Sequence, residues 1–270
     1  MSLTTRSVRL LSLLCGATLL AACAQSPTGR SQMLLYSPQQ MNQLGASSFE
    51  EMKKQAKIST DKKVNAYVQC VAGAVTAQVP AHYGIKSWEV VVFDDKQVNA
   101  FALPGGKIGV YTGLLKVAAN QDQLATVIGH EITHVLAQHS NERLSRSQLA
   151  GIGLAAADVA LGSSEYGGAT MAALGLGVQV GYLLPYGRAQ ESEADKMGLD
   201  LMASAGFNPA ESVALWQRMS AQSGGNKPPL LLSTHPSDTQ RIEALQADLA
   251  RVDPIYQQAR AAGRSPQCRK

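Results

Sequence analysis

The segment His130-Glu131-Ile132-Thr133-His134 holds the side chains best suited to chemistry in this sequence of 270 residues. On a helix, two histidines four positions apart share one face, about one turn from each other. Their imidazoles can bind a single Zn2+ together, at ~2.0–2.1 Å. Glu131 stands between them in sequence and is placed to act as a general base toward water instead of as a ligand. The pattern therefore points to metal-assisted hydrolysis.

A catalytic zinc takes a third protein ligand and keeps one position for chemistry. Carboxylates for that purpose lie downstream, in Gln190-Glu191-Ser192-Glu193-Ala194-Asp195. At 3.6 residues per turn Glu191 and Asp195 share a face, and Glu193 points roughly 200° away from Glu191. Glu191 is the expected third ligand. Asp195 is expected to accept the free N–H of a ligand histidine and so fix its tautomer. Glu193 is expected to be a solvated carboxylate. The complement is one Zn2+ per chain, held by His130, His134 and Glu191. His139 lies about 140° around a helix from His134 and is not a ligand, and His82 reads as a surface residue.

These side chains need elements to position them. Asn120-Gln121-Asp122-Gln123 opens a helix, with Asn120 as cap, and Leu124, Val127, Ile128, Ile132, Val135 and Leu136 recur at helical spacing. A helix from about 190 to 205 carries Glu191 and Asp195. Further helices are expected over about 38–57, 61–77, 208–222 and 237–251. Trp88 to Phe93, Asn99 to Leu103 and Lys107 to Tyr111 read as strands, with Pro104-Gly105-Gly106 turning the chain between the last two. Helices, a small sheet, then helices make an α+β architecture. Residues 147–186 are rich in Ala and Gly, with Asp158 and Glu165 as acids. They read as a buried helical hairpin divided near Gly162–Gly168, or as a mobile flap or membrane-touching element beside the site.

The His-Glu-Ile-Thr-His segment followed by Glu-x-x-Ala-Asp resembles the HtpX and CAAX-prenyl-protease class of gluzincin metallopeptidases. The segments Asn99-Ala100-Phe101-Ala102-Leu103-Pro104-Gly105-Gly106 and Ser233-Thr234-His235-Pro236, with Arg241 following, look like the soluble bacterial lipoprotein branch of that family. The resemblance implies a mainly helical zincin-like metallopeptidase domain, with a small, mostly antiparallel sheet and an active-site helix carrying the histidine pair. It also implies a peptide substrate. Glu131 would then take a proton from water and later pass it to the leaving amine. The developing oxyanion needs a further donor, for which His235, Tyr186 and Arg188 are candidates. His235 has an opposite alternative, that of occupying the open zinc position and silencing the site. Asn99, Ala100, Phe101, Ala102 and Leu103 are expected to form an edge strand to which an extended substrate adds by backbone pairing.

The amino terminus speaks to location. Arg6 and Arg9 precede an apolar run, Leu10 to Ala22, too short for an ordinary spanning helix. Leu20-Ala21-Ala22-Cys23 resembles the bacterial lipobox, so residues 1–22 are expected to be a removed signal, Cys23 the lipidated residue, 23–36 a tether and 37–270 one metallopeptidase domain. Ala24 after Cys23 favours the outer membrane by the usual sorting rule. Cys70 and Cys268 are then expected to pair in an oxidising compartment. The composition, 45% hydrophobic and 16% charged, is that of a globular protein. Formal charge is +4, without a basic run or a basic patch interleaved with aromatics, which gives no argument for nucleic acid. The expected role is a periplasmic, lipid-anchored endopeptidase that degrades misfolded or stalled envelope polypeptides. The alternative is an outer-membrane assembly factor or chaperone-like binder, with weak or gated proteolysis and the assembly machinery as partner.

Overall fold

The computed structural model describes residues 23–161, 184–222 and 239–270, together with Leu174, Leu231 and His235. The described elements run β1 (Cys23–Gln25), β2 (Ser31–Met33), α1 (Pro38–Gln55), α2 (Lys62–Thr76), β3 (Glu89–Phe93), β4 (Ala100–Leu103) and β5 (Lys107–Tyr111). They continue as α3 (Leu114–Val117), α4 (Gln121–Leu136), α5 (His139–Leu161), α6 (Leu184–Ser204), α7 (Glu211–Gln222) and α8 (Thr239–Ala261). The fold is α+β and mainly helical. Contacts group the chain into two compact units, where one domain was expected from residue 37 onward. One unit comprises the described residues of Met1–Pro38 and Gln138–Pro185, the other those of Gln39–Ala137 and Tyr186–Lys270.

The larger unit is built around α4. Asn120 caps it, its side-chain oxygen accepting from Gln123 N at 2.9 Å. Gln123 in turn reaches back to accept from Ala119 N at 2.8 Å. Together they satisfy N–H groups that a helix start leaves orphaned. From Gln123 through His134 every residue of α4 is buried. The apolar spacing in the sequence suggests a one-sided helix, but Ala125, Thr126, Gly129 and Thr133 fill the remaining faces. They are small enough to let neighbours close in all round.

One of those neighbours is α6, and the approach is backbone to backbone. A Cβ placed on Gly129 would sit 2.8 Å from Gly198 O, and one on Gly198 would sit 2.9 Å from His130 N. Only two glycines allow this crossing. On another side lies a three-stranded sheet of order β3-β5-β4. β5 pairs in parallel with β3 (Val91 opposite Gly109) and antiparallel with β4 (Phe101 opposite Gly109). Among the described residues β4 is thus an edge of this sheet, one residue shorter than expected at its start, although Asn99 O still accepts from Tyr111 N at 3.1 Å. α2, capped by Asp61, and α7 complete the core, with Trp216, Tyr67, Ile128 and Phe207 among its largest buried side chains. Cys70 of α2 is disulfide-bonded to Cys268. α8 runs ten residues past the expected end at Arg251 and continues through Pro254, because Val252 and Ala259 are buried beyond it.

In the smaller unit, residues expected as a tether at 23–36 include a paired hairpin. β1 and β2 pair antiparallel, Cys23 opposite Met33. The hairpin is bonded to α5 through Glu142, whose side chain is wholly buried. Arg30 donates to both Glu142 oxygens at 2.7 Å, and Arg146 donates to Oε1 through Nε at 3.1 Å and Nη2 at 3.0 Å. A carboxylate removed from water requires such partners. Leu35 N donates to Ser145 Oγ at 2.8 Å and Asn141 Nδ2 to Tyr36 O at 2.7 Å. A polar, turn-rich composition conceals this docking, since the partners lie far apart in the chain. In the 147–186 segment, α5 extends to Leu161 and α6 begins at Leu184. The expected division at Gly162–Gly168 lies outside the described residues.

The glycine crossing is open to test. Gly198→Val should lower stability toward urea by ~1–3 kcal/mol, the usual cost of overpacking. Gly73→Ala, at an exposed α2 position with open space around its Cβ site, should leave stability unchanged or raise it.

Candidate metal centre

The α4–α6 crossing brings the predicted residues to one place. His130 and His134 present their Nε2 atoms to each other at 3.1 Å. Glu191 Oε2 lies 3.3 Å from His130 Nε2, and Glu191 Oε1 lies 3.6 Å from His134 Nε2. One ligand atom from each of His130, His134, Glu191 and His235 falls within 4.8 Å of all the others. His235 enters with Nδ1, 2.8 Å from Glu191 Oε2 and 3.2 Å from His130 Nε2. Three imidazoles and a carboxylate are the donor chemistry that zinc takes.

Glu131 completes the arrangement without joining the donors. It is buried, and its Oε1 has no hydrogen-bond partner, although His235 Nε2 lies 3.3 Å away. A buried, unpaired carboxylate oxygen is costly unless a ligand or water uses it. This orphaned atom beside the donor cluster fits a metal with water at its side.

Asp195 lies where the helical spacing puts it, one turn beyond Glu191. Its Oδ1 is 3.0 Å from His130 Nδ1, the contact that orients the ring so that Nε2 faces the cluster. Arg241 then clamps Asp195, with Nε 2.7 Å from Oδ2 and Nη2 2.7 Å from Oδ1. The guanidinium carbon lies over the Trp216 ring at 3.6 Å from its centroid, and its Nη1 donates to the His235 carbonyl at 3.3 Å. One arginine thus connects Asp195 to the backbone of His235. Sequence reading used Arg241 only as part of a resemblance and missed this role. Its position six residues after His235, at the start of α8, is the signal that was available.

The field of the site favours a cation. Burial alone lowers the His130 pKa, but hydrogen bonds to Asp195 and Glu191 outweigh it and pull the value up to about 9. Burial would raise the Glu191 carboxyl, yet the imidazoles hold it well below the usual range. Burial acts likewise on Asp195, and Arg241 overcomes it first, with His130 adding to the effect. Zn2+ among these donors meets two ionised carboxylates already fixed in place.

Three expectations fall differently. Glu193 is 5% exposed and not solvated, because that face of α6 also turns into the protein. Arg188 is exposed on α6, and the Tyr186 side chain lies outside the described residues. His235 is anchored instead. Its N donates to Leu231 O at 2.8 Å, and Leu231 N donates to Val98 O at 3.1 Å, which ties His235 through Leu231 to the lead-in of β4.

The model of Peptidase family M48 matches residues 59–249, and the chain belongs to that family. Zinc is the metal of these peptidases, in agreement with the donor set found here. The chain is similar to the Mitochondrial metalloendopeptidase OMA1 of Saccharomyces cerevisiae, 38% identical over 184 residues that cover 65% of this chain and 51% of that protein. It is 32% identical over 232 residues to the human mitochondrial metalloendopeptidase OMA1, covering 81% of this chain and 44% of that one. It is 27% identical over 211 residues to the Beta-barrel assembly-enhancing protease of Yersinia pestis, covering 74% and 42%. The chain spans about half the length of these relatives.

Arg241→Lys should not preserve the clamp, because an ammonium cannot make the paired contacts to Asp195 while also lying over the Trp216 ring. The variant should fold, retain zinc less tightly in competition with a chelator and unfold at lower urea.

Proposed function

We propose that this chain is a zinc-dependent metalloendopeptidase of the bacterial envelope. The observation that carries the proposal is the unpaired, buried Glu131 oxygen lying beside the His130, His134 and Glu191 donors. In this reading those three residues hold Zn2+, which supplies Lewis acidity at the scissile carbonyl and makes water acidic. Glu131 removes a proton from water as the oxygen bonds to the carbonyl carbon. It then delivers that proton to the departing nitrogen as the C–N bond breaks. Asp195 and Arg241 keep the His130 ring in register throughout.

Substrate selection follows from β4. Among the described residues β4 has a strand on one side only, so an extended polypeptide can add along Ala100–Leu103 with little regard for its side chains. Such tolerance suits misfolded or stalled envelope polypeptides. The likeness to a beta-barrel assembly-enhancing protease supports an envelope substrate, as does the Cys23 lipid signal. The mitochondrial relatives share the chemistry, not that compartment. We place the chain in the periplasm, lipid-anchored at the outer membrane, after removal of residues 1–22.

His235 supports a gated version of the same enzyme. With Nδ1 inside the donor cluster, 2.8 Å from Glu191 Oε2, it would compete with water for a bound metal. A resting enzyme of this kind can bind assembling proteins before it cuts them, which is the assembly-factor reading. The alternative of His235 as oxyanion donor requires Nε2, which lies 3.3 Å from Glu131 Oε1, to face substrate instead.

Glu131→Gln should keep about one zinc per chain by metal analysis and abolish cleavage of an unfolded casein substrate. Unchanged cleavage would remove Glu131 from the mechanism, and an intact envelope phenotype without cleavage would favour the binder. His235→Ala should retain zinc and raise the basal rate of casein cleavage. A fall in rate with zinc retained would instead assign His235 to the transition state.

A further inference from the structure

The smaller unit carries an apolar surface that the peptidase chemistry does not use. Val159 is 83% exposed and Ile152 60%, and Leu144 and Leu35 are exposed as well. On α5 at 100° per residue, Leu144, Ile152, Ala155 and Val159 fall within an arc of roughly 80°. All four are exposed. From Ser147 to Leu161 the one charge on the helix is Asp158. Scattered single apolar residues are ordinary on a protein surface, whereas a stripe of them along one helix marks a contact.

The unit also indicates what that contact is. β1 begins at Cys23, the residue whose surroundings resemble a lipidation signal. Cys23 pairs opposite Met33, and two residues later Leu35 N donates to Ser145 Oγ of α5. Strand spacing and residue rise keep Cys23 within about 15 Å of Ser145. By the same 100° rule Ser145 borders the apolar arc. The buried Glu142 clamp with Arg30 and Arg146 removes the slack that a tether would have. A lipid on Cys23 therefore brings the bilayer to the apolar side of α5. No described helix is long and apolar enough to cross a membrane, so α5 would lie along the surface.

We propose that the Leu144–Val159 stripe of α5 rests in the leaflet that holds the acyl chains of Cys23, making the hairpin a rigid mount and the unit a membrane-docking module. This rests on the lipid-anchor reading. The stripe alone is a weak membrane binder, but attachment through Cys23 supplies a high effective concentration of lipid, so a weak contact is enough to hold orientation.

The test uses the full lipidated chain reconstituted in vesicles of phosphatidylethanolamine and phosphatidylglycerol, with and without brominated acyl chains. Val159→Trp and Ile152→Trp place reporters in the stripe, and Arg143→Trp places one on an exposed face of the same helix outside it. Fluorescence is read against the parent chain to subtract Trp88 and Trp216. The expected result is at least twofold quenching at 159 and 152, and little at 143. Flotation with vesicles but no quenching at either stripe position overturns the docking while leaving the anchor intact. A parent chain that does not float, or that floats equally well as Cys23→Ser, overturns the anchor reading and the proposal with it. Blue-shifted emission at 159 without vesicles shows the stripe covered by its own chain, or by a second copy if sedimentation gives a dimer. Either result also overturns the proposal.

Discussion

The contact between Gly129 and Gly198 sets the spacing on which the metal centre depends. Helices with ordinary side chains at a crossing pack with axes some 8–10 Å apart, and these two meet backbone to backbone. His130 follows Gly129 directly, and Asp195 and Glu191 lie one and two turns before Gly198. The interhelical distance therefore becomes the distance between imidazole and carboxylate. The chemistry of the donors matters only because the helices are close enough to share one ion.

That closeness creates an electrostatic problem, which the surrounding residues solve. Glu131, Glu191 and Asp195 are carboxylates in a small volume with little water. Arg241 is the balancing charge, held by two bonds to Asp195 and by the face of Trp216. The buried Glu142 of the smaller unit repeats the principle with Arg30 and Arg146. In each case a carboxylate is sealed from solvent and held by arginine, whose fork matches both oxygens.

Much of the site was legible in the sequence because helical geometry converts spacing into direction. The interval from His130 to His134, and that from Glu191 to Asp195, each fix a face without knowledge of the fold. What stayed hidden depends on the partner across a contact. Glu193 is polar and sits on the face opposite Glu191, yet that face is also covered. Arg241 is marked in the sequence only by its place after His235, and its clamp becomes visible once Asp195 is opposite it. The hairpin at 23–36 looks like a linker because its stabilising partner, Glu142, lies more than a hundred residues away. Local patterns predict elements and faces, while burial on a second face is a property of the whole fold.

The disulfide has a consequence in time as well as in space. Cys70 and Cys268 are separated by 198 residues, and His130, Glu131, His134, Glu191 and His235 all lie between them. A chain emerging from its amino terminus exposes Cys70 early and must keep that thiol unpaired until every one of these residues has followed. Once closed, the bond keeps the tail beside the start of the histidine-bearing helix, where Gln121 accepts from Cys268 N at 2.8 Å. Oxidation thus comes at the end of the assembly sequence, so the thiols of Cys70 and Cys268 would distinguish chains that have been fully delivered from those that stalled on the way.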